Sequence, residues 1–205
     1  MHDAILIGVG TAINDNPQLN GMSCILHKRV FNKFIISVLC KVRHLPSPPL
    51  SSPPHHLPQP IVLDTNLRLP TTCKLLQNFQ AGTGRPPWII CQTISTSDQA
   101  QRKQALEAAG ARVIDIDARN GNHLGLSSVL LTLRLNEIKS VMVEGGARVI
   151  ESFLSESYFV DKLVITIAPV LVGTGIRYDS QFIRNNYEHF RTELFGKDVV
   201  VALTA

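Results

Sequence analysis

Between Asp15 and Asp64 the chain carries no acidic residue. In that stretch Lys28, Arg29, Lys33, Lys41 and Arg43 give +5, while the remaining 15 basic and 16 acidic residues give −1, so the net charge of +4 is local. Charge confined to one segment is not the basic face of a nucleic-acid-binding protein, and no nucleic-acid partner is expected. Cysteine is scarce: Cys24, Cys40, Cys73 and Cys91 form no C-x-x-C, and no two histidines stand at a spacing that completes a zinc site. That argues against a disulfide scaffold and against a structural metal, and fits a reduced, cytoplasmic protein. Long apolar runs are missing too. The longest, Phe34 to Cys40, is bounded by Lys33 and Lys41 and falls well short of the ~18 residues of a membrane span. No basic start or small-residue cleavage site precedes the apolar run Ala4 to Ile7, so no export signal is expected.

What remains is a chain of 205 residues, 44% hydrophobic and 18% charged, which suits one domain with a substantial core. Runs rich in β-branched residues predict strands at Ala4 to Gly8, Ile61 to Asp64, Trp88 to Gln92, Arg112 to Ile116, Ser140 to Glu144, Lys162 to Ala168 and Val199 to Leu203. Helical periodicity falls between them. Ser97 to Ala109 opens on the cap Ser97-Asp98 and stops at Gly110, Ser127 to Leu135 is apolar on one face, and Ala147 to Ser155 sets Val149, Ile150, Phe153 and Leu154 at core spacing. Such alternation predicts an α/β sandwich with helices covering a largely parallel sheet.

Residues 21–60 break the rhythm. Seven of the twelve prolines lie between Pro46 and Pro60, after the basic, apolar Ile25 to Val42. The Pro-Ser-His part reads as a solvated loop of polyproline character, and adjacent His55-His56 as solvated loop histidines. The apolar part needs burial but has neither clean helical nor clean strand periodicity. The expectation is a single domain over 1–205 with a disordered or poorly packed insertion at 21–60.

Two motifs carry polar chemistry. Gly8-Val9-Gly10-Thr11-Ala12-Ile13-Asn14-Asp15-Asn16-Pro17 follows the first strand; Ile13 stands where the dinucleotide fingerprint requires glycine, so it reads as a glycine turn followed by Thr11, Asn14, Asp15 and Asn16. Ligands in α/β folds sit at such strand ends. In Ser140-Val141-Met142-Val143-Glu144-Gly145-Gly146-Ala147-Arg148-Val149, a buried strand runs through Gly-Gly into a helix. Glycines allow close backbone approach, and the open N–H groups of a first helical turn favour a phosphate. Phosphate is expected near Gly146, with Glu144 facing it from the strand's end.

With these motifs the chain resembles a known family. His2 to Thr11, Asp15-Asn16-Pro17-Gln18-Leu19-Asn20, Pro60 to Thr65, Val143-Glu144-Gly145-Gly146-Ala147 and Ala168-Pro169-Val170-Leu171-Val172-Gly173-Thr174-Gly175 are similar, in this order, to the reductases of riboflavin biosynthesis. The fungal type, acting on 2,5-diamino-6-ribosylamino-4(3H)-pyrimidinone 5′-phosphate, is the best match. The resemblance implies a dihydrofolate-reductase-like, three-layer α/β fold around a mixed, mostly parallel sheet, a cytoplasmic homodimer, NADPH as hydride donor, and reduction of a ribosyl side chain to ribityl. It also implies residue roles. Gly10, Thr11, Asp15 and Thr65 would lie along NADPH, and Gly145, Gly146, Ala147, Arg148 and Val149 would hold its diphosphate. Leu19 and Glu144 would touch the substrate, with Glu144 orienting ribose hydroxyls or moving a proton.

The chain departs from the family twice. The family carries a further strand, a Ser-Leu-Asp-Gly loop and a helix ahead of the phrase at His2, which implies a truncated member; a catalytically inactive paralogue or fragment is the alternative reading. After Asn20 the family continues to a basic residue for the substrate phosphate, whereas here Gly21-Met22-Ser23 follows. Gly-Met-Ser can be encoded with a splice-donor sequence and Lys41-Val42 with an acceptor. Joining Asn20 to Val42 restores Leu-Asn-Val-Arg. On that reading 21–41 is translated intron and Arg43 the displaced phosphate-binding residue; a genuine insertion is the other possibility.

Overall fold

The computed structural model describes residues 2–19, 34–41, 57–117, 124–169 and 186–205, the second of these through its backbone. Nine strands form one sheet: β1 (Ala4–Gly8), β2 (Phe34–Lys41), β3 (Gln59–Leu63), β4 (Trp88–Gln92), β5 (Arg112–Ile116), β6 (Ser140–Val143), β7 (Lys162–Ile167), β8 (Glu188–Phe195) and β9 (Asp198–Thr204). Their order is β5-β4-β3-β1-β6-β2-β7-β9-β8. From β5 to β6 every pairing is parallel, and from β6 to β8 every pairing is antiparallel. β1 and β4 read as continuous apolar runs because both of their faces are covered.

Alternation along these strands separates two cores. Ala4, Leu6, Ile61, Ile90, Val141 and Val143 face one side, packed against Leu126, Val129, Leu130 and Leu133 of α4 (Leu126–Leu135) and Ile150, Phe153 and Leu154 of α5 (Ala147–Ser155). Ile5, Ile7, Val62, Ile89 and Cys91 face the other. There they meet Val9 and Ala12 of α1 (Val9–Asp15), Leu75 and Leu76 of α2 (Lys74–Gln80), and Leu106 of α3 (Ser97–Ala108). This is the three-layer arrangement expected. Each large side chain so buried contributes ~1.5 to 3 kcal/mol of transfer free energy.

Asp3 fixes the register at the base of the sheet. Its Oδ2 accepts from the backbone N–H groups of Lys139 and Ser140, both at 2.9 Å, and from Ser140 Oγ at 3.1 Å. Its own N–H donates to Ser140 Oγ at 3.0 Å. The starts of β1 and β6 are thereby stapled, so their far ends emerge level.

The strands and helices expected from sequence are present, shifted by no more than two residues at their ends. Three differences are physical. The segment after β1 is not a glycine turn but the short helix α1; Gly10 is exposed on it, and an added Cβ there would meet nothing. Within the expected insertion, Phe34–Lys41 is a strand in the sheet interior, antiparallel to both neighbours. Finally, β8 is an edge strand with every residue exposed, so it shows no core face to read.

Candidate functional site

The chain leaves β1 into α1 on one face of the sheet and leaves β6, the adjacent strand, into α5 on the other. In α/β folds ligands sit at such a switch point, outside the carboxyl ends of the strands. The two strand ends are tied together by backbone. Glu144 N–H donates to the Leu6 carbonyl at 2.9 Å, and Gly8 N–H donates to the Gly145 carbonyl at 3.2 Å.

Both helices start without a side chain over their N-termini, because the capping residues are Gly8 and Gly146. Helix geometry leaves their earliest N–H groups open, while in α5 Val149 N–H turns back to the Gly146 carbonyl at 2.9 Å. Gly145 and Gly146 hold φ of 117° and 75°, a region L-residues avoid. A Cβ on Gly146 would stand 3.3 Å from Thr11 Oγ1, and one on Gly8 would stand 2.9 Å from Val149 Cγ2. The cradle therefore depends on glycine at all three positions. Thr11, Ala147 and Val149 are half-buried around it, and Arg148 is exposed in the first turn of α5. Donor-rich backbone, a nearby hydroxyl and a cation suit a diphosphate, so the residues present fit the phosphate portion of a dinucleotide.

Glu144 is buried at the end of β6, directly before the glycine pair. A carboxylate held there can orient hydroxyl groups or exchange a proton. Thr65 joins from the third strand end, since Gly8 is in register with Leu63 of β3. It is half-buried, and its carbonyl accepts from Gln92 N–H at 3.4 Å.

Other expected residues are further out. Asp15 is exposed at the last position of α1, ~9 Å along the axis from the helix start. Asn16 is spent on structure: in the left-handed conformation that ends α1, its Oδ1 accepts from Lys74 N–H at 2.8 Å and caps α2. Leu19 has φ of 49° and is 2% exposed, packed in the core under α1 and α2 rather than presented to solvent. Arg43 lies outside the described residues, as does most of the Ala168–Gly175 phrase.

Sequence reasoning passed over Asp64, which is fully buried where β3 ends. It acts electrostatically on Cys91 of β4, whose thiol is pushed up to about 11 by burial and then by Asp115. That thiol stays protonated and is no nucleophile. Among the described residues no cluster of three metal-ligating side chains occurs, and no helix is long and apolar enough to cross a membrane.

The RibD C-terminal domain family matches residues 1–201. The chain belongs to that family. It is 28% identical over 203 residues to the riboflavin biosynthesis protein RibD of Aquifex aeolicus, covering 97% of this chain and 45% of that protein. To the 2,5-diamino-6-ribosylamino-4(3H)-pyrimidinone 5′-phosphate reductase of Saccharomyces cerevisiae it is 31% identical over 177 residues, covering 85% and 58%. The chain thus spans about half the length of these relatives. Among solved structures, the Saccharomyces riboflavin biosynthesis reductase Rib7 superposes with a TM-score of 0.64 at 22% identity, over 99% of this chain and 75% of that one. Acinetobacter baumannii RibD also gives 0.64 at 21% identity, over 99% and 47%. The fold is that of these reductases, a dihydrofolate-reductase-like α/β sandwich.

Proposed function

We propose that this protein reduces the ribosyl side chain of 2,5-diamino-6-ribosylamino-4(3H)-pyrimidinone 5′-phosphate to the ribityl form, with NADPH as the donor, in riboflavin biosynthesis. The observation that carries the reading is the pair of glycine-capped helix starts meeting at the β1–β6 switch point, a phosphate cradle where this family's reductases are matched in sequence. Bound NADPH would supply a hydride to C1′ of the opened ribosylamine.

The chain's own part is positioning. The N–H groups of Gly146 to Arg148, with the Arg148 guanidinium and the Val149 side chain beside them, hold the diphosphate; each such helix-end contact contributes ~0.3 to 1 kcal/mol, rising to ~2 where partly buried. Thr11 and Thr65 line the dinucleotide from the two neighbouring strand ends, and Asp15 lies further along α1. Glu144 orients the ribose hydroxyls or passes a proton, while Leu19 shapes the substrate side from within the core. Arg43 takes the 5′-phosphate. No covalent nucleophile is needed, so orientation supplies most of the rate. The same reading takes the enzyme as a cytoplasmic homodimer. Cysteine usage supports the compartment, and Phe190, Leu194 and Phe195, exposed on β8, supply apolar surface for a second copy.

The test is NADPH oxidation followed at 340 nm with the ribosylaminopyrimidine phosphate as substrate. Turnover that needs this substrate and falls at least about a hundredfold in kcat for Glu144→Gln is the expected result. NADPH binding without turnover would favour the inactive alternative; no NADPH binding would overturn the reading.

A further inference from the structure

Asp64 combines two properties that rarely coexist. Its side chain is wholly excluded from solvent, and its Oδ1 has no hydrogen-bond partner. Buried carboxylate oxygens are almost always satisfied, and leaving one bare is costly. An apolar residue at this fully buried position would avoid that cost. What the carboxylate does instead is shape the loop that follows. Its Oδ2 accepts from Leu69 N–H at 2.8 Å, and its backbone carbonyl accepts from Leu67 N–H at 3.1 Å.

The loop so held is strained and two-sided. Leu67 is forced to φ of 53°, in the left-handed region that a leucine avoids. Leu67 and Leu69 are buried at 2% and 4% exposure, while Asn66 and Arg68 between and beside them are exposed and Thr65 is half-buried. Arg102 Nη1 of α3 donates to the Asn66 carbonyl at 3.4 Å from outside. Because Leu63 is in register with Gly8, the loop begins one residue past the level at which β1 passes into α1.

We propose that Asp64 is a positioning residue for the cofactor: its hydrogen bond to Leu69 N–H holds the 64–69 loop so that Thr65 meets the dinucleotide. The inference rests on the NADPH reading above and adds a residue that does not touch the ligand. An acceptor oxygen at this position is what matters, and charge is not. Asp64→Asn keeps an acceptor for Leu69 N–H, whereas Asp64→Ala and Asp64→Ser do not reach it.

The experiment is fluorescence titration of the full chain with NADPH, beside amide hydrogen exchange at Leu67 and Leu69 and thermal melting. Asp64→Ala is expected to stay folded, to exchange faster at those two amides, and to bind NADPH at least about tenfold more weakly; Asp64→Asn is expected to match the parent within about threefold in both readouts. Where the chain is active, KM for NADPH should rise in Asp64→Ala with kcat little changed. Should Asp64→Ala not fold, Asp64→Ser decides the matter. A folded Ala or Ser variant with parental affinity would overturn the proposal, as would a folded Asn variant as weak as Ala. Failure of the NADPH reading shows separately, in a parent protein that does not bind the nucleotide.

Discussion

The backbone N–H of Gly8 donates to the carbonyl oxygen of Gly145 at 3.2 Å, joining the cap of α1 to the turn that opens α5. The two helix starts therefore keep their spacing as one rigid unit, and any side chain forced into the turn is felt on both. Gly146→Asp would place a Cβ 3.3 Å from Thr11 Oγ1 at φ of 75° and bring a carboxylate to the diphosphate position. Backbone strain of ~1 to 2 kcal/mol leaves the fold standing. NADPH affinity should drop at least about tenfold by fluorescence titration, because like charges a few ångströms apart repel strongly in a half-buried site. Parental affinity would show the glycine pair to be a packing turn.

Arg43 is the proposed partner of the substrate phosphate, and a guanidinium–phosphate pair contributes ~1.5 to 3 kcal/mol. In a version with 21–41 removed and a strand and helix added ahead of His2, Arg43→Ala should raise the substrate KM about ten- to a hundredfold without changing NADPH affinity. A fall in NADPH affinity instead would assign the residue to the cofactor. No change in either would move the role to another cation, with exposed Arg68 next.

Removing 21–41 from the chain as it stands deletes β2, which is hydrogen-bonded to β6 on one side and β7 on the other. Each buried ladder group left bare costs ~1 to 3 kcal/mol, and a few of them exceed the ~5 to 15 kcal/mol that hold a domain together. The deletion variant should lose cooperative melting, and a strand supplied ahead of His2 should restore it. The translated-intron reading thus requires such a strand. A deletion variant that melts like the parent would show that the sheet closes without β2.

Cys91 makes stability fall in alkali. Its thiol is raised from 9.0 to about 11 in the folded protein, so between those values the unfolded chain has lost its proton while the folded one keeps it. Stability is whole below 9.0 and declines towards pH 11 by ~1.4 kcal/mol per pH unit from this group. Urea unfolding at pH 8 and pH 10 should show a smaller alkaline loss for Cys91→Ala than for the parent. Equal losses would mean that the thiol titrates alike in both states.

Much of the parallel half of the fold is legible in sequence because those strands are buried on both faces: AILIG and WIICQ can be little else. The glycine turn before α5 is legible for a related reason, since only a close approach explains two glycines between a buried strand and an amphipathic helix. Elements whose burial is supplied by others escape. In α2, KLLQNFQ buries only Leu75 and Leu76. In α1 the helix opens on Val9 between Gly8 and Gly10 and is held by packing on β1 and β3. Phe34–Lys41 carries no alternation to read, and its partners β6 and β7 lie far along the chain, so nothing local marks it as a strand of this sheet. Asp64 looks like an ordinary polar strand end; only its complete burial and its bond to Leu69 reveal its part.

The place of β2 also imposes an order on synthesis. Its partners are Ser140 to Val143 and Lys162 to Ile167, whereas β1 and β3, the strands that flank it in sequence, pair with each other. As the chain leaves the ribosome, Phe-Ile-Ile-Ser-Val-Leu-Cys waits without a mate until β6 and β7 have emerged, many seconds later at ~5 to 20 residues per second. For that interval the nascent protein carries an apolar segment whose backbone is paired only in the finished sheet. Maturation should therefore depend on chaperones far more than the size of the domain would suggest.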